Sequence, residues 1–265
     1  MPATIANLGP GFDVLAMAVD LWLEVEAEPA DAAAWRFEGE GADWLPASDH
    51  PFATIAMRGR VVNGIPVGVG LGSSAAARAA SLALRGVEGR ELLARVVALE
   101  GHPDNAAAAV HGGVVAVVAG EVHQLPAPQA EIALFVAAQR VPTETARAVL
   151  PRRVDREDAV YNAARLALLV RALHTKRYEL FAEALGDRLH QPYRAKLYPW
   201  LPTALEAAVA AGAYGAALAG AGPSVVAFTP AGAGADVGEA MRAAAAVEGR
   251  VIVTRPVGSG LSVDE

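Results

Sequence analysis

The stretch Pro66-Val67-Gly68-Val69-Gly70-Leu71-Gly72-Ser73-Ser74-Ala75-Ala76 sets three glycines at alternate positions ahead of two serines and an alanine-rich run. Glycine lets a backbone bend sharply and approach a ligand with no Cβ in the way. The following residues, Ser74 to Arg85, hold few breakers and predict a helix. The first amides of a helix lack intrahelical partners and carry the positive end of its dipole, so this junction predicts an anion cradle. Ser73 and Ser74 add hydroxyls able to bond a phosphate or ligate Mg²⁺. The stretch reads as a phosphate-binding loop, but of neither familiar kind. Walker A requires a lysine, and none is near; the dinucleotide fingerprint requires G-x-G-x-x-G, whereas the spacing here is Gly68-x-Gly70-x-Gly72.

Outward from this loop, composition narrows the class. The 265 residues suffice for one large or two modest domains with real cores. A net charge of −7 argues against a nucleic-acid partner, which would call for a basic stripe. The absence of cysteine excludes disulfide scaffolds, thiolate metal sites and cysteine nucleophiles. With no signal peptide at the start, a cytoplasmic location is expected. Residues 207–235 carry no charge, yet the run is Gly/Ala-rich and holds Pro223 and Pro230, so no membrane span is expected. Among 22 basic residues only Lys176 and Lys196 are lysines.

Along the chain, Pro2 to Asp13 reads as an irregular glycine loop, and Val19 to Glu26 alternates as a half-buried strand with Trp35 to Glu38 as its partner. Pro51 to Arg60 predicts a short helix, and Ile65 to Val69 a strand entering the glycine-rich loop. Helical spacing over Arg90 to Leu99 is interrupted by Glu100-Gly101-His102-Pro103-Asp104-Asn105; a short alanine-rich helix follows, then a strand over Gly113 to Ala119. Pro126 and Pro128 mark the domain boundary, giving domains 1–125 and 126–265. The second half predicts a strand over Ile132 to Ala138, helices over Glu144 to Leu150, Asp158 to Leu173, Glu179 to Leu185 and Pro202 to Ala211, strands at Tyr214 to Ala219 and Val225 to Thr229, a helix from Asp236 to Val247 and a last strand at Val251 to Arg255. That order is a split βαβ, ferredoxin-like arrangement.

Taken alone, the polar residues leave readings open. Asn7 and Asp13 fit Asx turns as well as ligand contacts. Glu100 and Asp104 fit a helix end and the next N-cap. His102 fits a supporting role better than that of a base. Arg147 and Arg194 fit a solvated surface, or a bidentate carboxylate clamp.

The string Pro66-x-Gly68-x-Gly70-Leu71-Gly72-Ser73-Ser74-Ala75-Ala76 resembles the nucleotide loop of the GHMP small-molecule kinases. Five further segments, in order, resemble the homoserine kinase branch of that family. They are Pro2-Ala3-Thr4-x-Ala6-Asn7-Leu8-Gly9-Pro10-Gly11-Phe12-Asp13, Glu100-Gly101-His102-Pro103-Asp104-Asn105, Thr143-x-x-Ala146-Arg147 with Gln191-Pro192-Tyr193-Arg194, and Leu218-x-Gly220-Ala221-Gly222-Pro223-Ser224. The resemblance implies a two-lobed α+β GHMP kinase fold, with an N-terminal lobe like ribosomal S5 domain 2 and a ferredoxin-like C-terminal lobe. It implies ATP with its phosphates in Pro66, Val67, Gly68, Val69, Gly70, Leu71, Gly72, Ser73, Ser74, Ala75 and Ala76, and Mg²⁺ on Ser74 and Glu100. It implies L-homoserine as substrate: its ammonium on Asp13, its carboxylate on Arg147 and Arg194, its hydroxyl on Asn7 and Asp104, with Thr143 helping to orient it. Asp104 acts there as a base or as a positioning group. Alternatives are another small alcohol, or a non-catalytic regulator on the same fold; a homodimer is an open option. The sequence departs from the family at its start, where a strand is expected ahead of Pro2. It departs again in the short 40–64 segment, which trims the helix before the loop and part of the base pocket, and at Ile5 and Ala219, where serine is typical. These departures bear on ATP affinity and stability rather than on the reaction type.

Overall fold

The computed structural model describes residues 1–263. Two mixed layers of helix and sheet meet along one cleft. The first sheet holds six strands: β1 (Pro2–Ala6), β2 (Leu15–Pro29), β3 (Ala34–Gly39), β4 (Met57–Asn63), β5 (Val114–Val118) and β6 (Glu121–Leu125). β2 is its spine. The first half of β2 pairs antiparallel with β1 and β5, and its second half with β4, which β3 joins in parallel. Helices α1 (Ser73–Ala83), α2 (Gly89–Glu100) and α3 (Asp104–His111) pack together, with α1 and α3 against β1 and β2. Alanine makes this close approach possible: Ala75, Ala76, Ala79 and Ala106 to Ala109 are all buried. Alanine also carries the best helix propensity, so the same residues form the helices and seat them.

The second sheet is fully antiparallel in the order β10-β7-β9-β8, built from β7 (Glu131–Ala137), β8 (Gly215–Leu218), β9 (Val225–Thr229) and β10 (Gly249–Thr254). Between β7 and β8 the chain runs through α4 (Thr143–Ala148), α5 (Arg156–Thr175), α6 (Phe181–Ala184), α7 (Gln191–Arg194) and α8 (Leu201–Ala210); α9 (Gly234–Ala245) precedes β10. This is the expected split βαβ order. Val237, Met241 and Ala245 of α9 and Leu201, Ala204 and Ala208 of α8 form one buried cluster with Phe135 and Ala227 of the sheet. A larger core is continuous from Ile5, Leu15 and Val61 to Leu134, Phe181 and Phe228. Beyond β10 the chain returns to the first sheet: Val257 N–H donates to the Ala18 carbonyl at 3.1 Å, and Leu261 N–H to Val110 at 3.1 Å.

Five local expectations are corrected. Trp35 to Glu38 is not the direct partner of β2: it lies in β3, which pairs with β4, and β4 stands between β3 and β2. Pro2 to Ala6 is a strand buried at all five positions, not part of an irregular loop; burial on both faces removes the alternation that betrays a strand. Pro51 to Arg60 is not a helix. Turns lead into β4, where Met57, Gly59, Val61 and Asn63 face inward on the period of two. Ile65 to Val69 forms turns rather than a strand, because Pro66 lacks a donor and Gly68 adopts φ +75°. The helix expected over Glu179 to Leu185 breaks into a short 3₁₀ turn at Tyr178–Leu180 and the single turn of α6. The short strand β6 and the single-turn α7 carried too few apolar residues to announce themselves.

Candidate active site

The glycine-rich loop is held from both sides. Thr4 N–H on β1 donates to Leu71 O at 3.1 Å, and Ser224 N–H, from the β8–β9 loop, donates to Val69 O at 3.2 Å. A Cβ on Gly70 (φ +85°) would overlap Ala219 O, and one on Gly72 (φ +70°) would overlap Thr4 Oγ1. Both glycines are therefore required by conformation and by space. Gly72 then starts α1 with no side-chain cap and no acidic residue in the first turn. The open amides at Ser73 and Ser74 border a cavity of about 290 Å³, lined also by Ala6, Asn7, Asp13, Glu100, Asp104, Thr143, Arg147, Arg194 and Gly220. The cavity brings together every polar side chain that the sequence singled out.

Ser74 Oγ donates to Glu100 Oε1 at 2.7 Å, and Arg78 Nη1 lies 2.9 Å from the same oxygen. α1 and α2 thus put two hard oxygen donors side by side at the mouth of the anion cradle. Among the described residues no group of three or more His, Asp or Glu forms a metal cage. Two oxygens fit Mg²⁺, which keeps most of its coordination for water and substrate phosphates.

Asp104 opens α3 and is buried. Its Oδ1 accepts the Asn105 N–H at 2.7 Å and lies 2.8 Å from His102 Nδ1, while Oδ2 has no hydrogen-bond partner among the described residues. That contact raises the pKa of His102 above the ordinary imidazole value, against a lowering by burial. Thr4 Oγ1 donates to Asn105 Oδ1 at 2.6 Å, tying α3 back to β1. The structure thus makes Asp104 a helix-start residue and a cavity residue at once.

Opposite stand the arginines. Arg147, on α4, grips Asp13 bidentately, Nη2 to Oδ1 at 2.6 Å and Nη1 to Oδ2 at 3.0 Å, across the cleft. The hydrogen bond to Asp13, first of all, keeps the Arg147 pKa above its ordinary value. Asp13 (φ +57°) and Asn7 (φ +74°) hold left-handed conformations that side chains other than glycine rarely adopt. Asn7 supports that strain: Nδ2 donates to Gly220 O at 2.9 Å, and Oδ1 accepts the Asp13 N–H at 3.1 Å. Neither arginine is a solvated surface residue. Arg194 is 1% exposed; Nε donates to Ala146 O at 3.2 Å and Nη1 to Gly220 O at 2.9 Å, with His190 Nδ1 at 3.1 Å, while Nη2 has no hydrogen-bond partner among the described residues. Burial, then the charge of Arg147, lowers the Arg194 pKa to about 10.

The sequence reading missed the supports. Phe12 lies under both guanidiniums, 5.7 Å from Arg147 and 5.4 Å from Arg194, and stacks on His190 at 5.3 Å. His190 Nε2 donates to Gly9 O at 2.8 Å. Asp187, its side chain fully buried, accepts the N–H groups of Leu189, His190 and Gln191 and so starts α7. A signal existed in the Asp-x-x-His-Gln-Pro string, where an acid precedes a proline-bearing first turn. On the far side of the glycine-rich loop a second groove, about 350 Å³, is lined by Glu40, Pro66, Val67, Val69, Arg140 and Arg250.

Two family models match the chain: the GHMP kinases N terminal domain over residues 45–113 and GHMP kinases C terminal over 169–247. The chain belongs to the GHMP kinase family. This GHMP kinase is 46% identical over 276 residues to a homoserine kinase of Thermus thermophilus, covering 96% of this chain and 94% of the relative. It is 40% identical to a homoserine kinase of Caldanaerobacter subterraneus, covering 86% and 82%. A crystal structure of homoserine kinase from Cytophaga hutchinsonii superposes with a TM-score of 0.84 at 27% identity, covering 98% of this chain and 94% of that one. A mevalonate kinase of L. major, at 12% identity and a TM-score of 0.75, shares the fold with this GHMP kinase.

Proposed function

We propose that this GHMP kinase transfers the γ-phosphoryl group of ATP to the hydroxyl of L-homoserine, yielding O-phospho-L-homoserine for threonine synthesis. One observation carries the choice of substrate: Asp13, Arg147 and Arg194 line the same cavity as the open start of α1. An anion cradle at one end suits a phosphoryl donor. An acid between two arginines at the other suits an α-amino acid, which offers one ammonium and one carboxylate. The Asp13–Arg147 pair is the internal substitute for that zwitterion. Homoserine exchanges it, its ammonium taking Asp13 and its carboxylate taking Arg147 together with Arg194 Nη2. An alcohol lacking the carboxylate would leave both guanidiniums without an anion.

The reaction needs little covalent help, so the protein's share is alignment and charge stabilisation. Amides of Gly72, Ser73 and Ser74 hold the phosphates, and the groove beside Pro66, Val67 and Val69 takes the nucleoside end. Ser74 and Glu100 would hold Mg²⁺, which would supply positive charge against that of the phosphates; Arg78 keeps the Glu100 carboxylate in place. Asp104 offers Oδ2 to the substrate hydroxyl, while His102 and the Asn105 amide fix Oδ1. Asn7 Oδ1 has a second lone pair for the same hydroxyl, and Thr143 borders the substrate from α4. The two lobes divide at residues 125/126, and a cysteine-free chain suits the reducing cytoplasm.

The test is ADP release with Mg-ATP against L-homoserine, L-serine, L-threonine, mevalonate and shikimate. Turnover confined mainly to homoserine is expected. Turnover on another alcohol keeps the kinase and refutes the substrate; silence with ATP bound refutes catalysis.

A further inference from the structure

The cavity and the groove lie on either side of the glycine-rich loop and are lined by different residues of the same two segments. Gly68, Gly70 and Gly72 line the cavity, whereas Pro66, Val67 and Val69 line the groove. Across from them a single segment, residues 138–143, does the same: Ala138 and Arg140 face the groove, and Val141, Pro142 and Thr143 face the cavity. Arg140 therefore stands where the two meet. Its Cδ runs past Gly68, 3.8 Å from where a Cβ would be. Its guanidinium lies over the indole of Trp44, 3.6 Å from the ring centroid.

The charge balance near the loop is unusual. No basic residue occurs between 61 and 77. Arg78 is engaged by Glu100, and Arg250 by Glu40; Glu248 also borders the groove. Among the described residues Arg140 has neither a carboxylate partner nor a hydrogen bond, and it rests only on an aromatic face. Such a contact at an exposed site is weak, and a phosphate oxygen competes easily for the same guanidinium.

We propose that Arg140 is a nucleotide-binding residue that pairs with the polyphosphate where it crosses from groove to cavity, and that Trp44 holds the guanidinium there until the nucleotide arrives. The proposal rests on the reading of the cleft as an ATP site. Arg140 substitutes for the lysine that this glycine-rich loop lacks, from the opposite lobe. Because the pair forms only with the nucleotide bound, it also draws the two walls of the cleft together.

The test is calorimetric titration of the full chain with ATP, ADP and adenosine, without homoserine, for the wild type, Arg140→Ala and Arg140→Lys. Arg140→Ala is expected to weaken ATP about tenfold, within the range of a lost charge-assisted bond, and to leave adenosine unchanged; Arg140→Lys recovers most of the loss. Rising salt should weaken ATP binding less in Arg140→Ala than in the wild type. Unchanged ATP affinity, or equal weakening of ATP and adenosine, overturns the proposal. A wild type that binds no ATP overturns the ATP reading with it, whereas a wild type that binds ATP and ignores Arg140→Ala overturns this inference alone.

Discussion

At the scale of the residue, Arg194 is bound more tightly into the fold than a substrate contact needs to be. Truncation to alanine would strip the buried Ala146 carbonyl of its side-chain donor, leave the Gly220 carbonyl to Asn7 alone and open a void. Arg194→Ala should therefore lose roughly 3 kcal/mol in urea unfolding. Arg194→Lys keeps a charge but not the planar fork, so it should raise the homoserine KM well beyond any change for ATP. Equal changes for both substrates would assign Arg194 a purely structural part. Glu100 poses the converse case, since among the described residues its carboxylate pairs only with Ser74 and Arg78. Glu100→Gln should fold normally and sharply raise the Mg²⁺ concentration needed for half-maximal turnover; an unchanged Mg²⁺ dependence would remove Glu100 from the metal site.

At the scale of the element, the glycine-rich loop works because three other pieces leave it no alternative shape. β1 holds Leu71, the β8–β9 loop holds Val69, and the chain between them passes Ala219 with no room for a methyl group. Gly70→Ala faces both a left-handed φ and that overlap, so the loop must shift. The expected result is a stability loss of about 1–3 kcal/mol together with ATP binding too weak to titrate. A variant that loses stability yet binds ATP normally would show that loop shape does not set the site. The element pattern was legible for the long helices and for β2, where period and length agree. It failed for β1 and β4. β1 is buried on both faces, and β4 alternates around a glycine and two arginines that resemble a polar turn.

At the scale of the whole molecule, one core runs from the first sheet to the second, and the cleft lies over it. His190 sits at that junction, fully buried between Gly9 of one lobe and Arg194 of the other. Burial, and then Arg194, lowers its pKa from 6.5 to about 4. In the unfolded chain this histidine takes up a proton near pH 6.5, so between that value and about 4 the unfolded state binds more protons than the fold. Stability should hold above pH 6.5 and fall as pH drops through this window. Urea midpoints measured from pH 7 to 4.5 should show a slope that flattens in His190→Gln. An identical slope in both proteins would assign the acid loss to carboxylates alone.

Local chemistry wrote much of this protein into its sequence. Glycine spacing before an alanine helix specifies an anion cradle because φ freedom and open amides are properties of a few neighbouring residues. The long helices and β2 followed from periodicity for the same reason. Tertiary structure alone decided which polar groups meet. Asp13 and Arg147 are 134 positions apart, and Asn7 and Gly220 are 213 apart. Nothing in either neighbourhood announces the bidentate pair, the buried state of Arg194 or the place of Arg140 at the crossing of the cleft. Those depend on how two sheets pack over a shared core, and packing is a property of the whole chain.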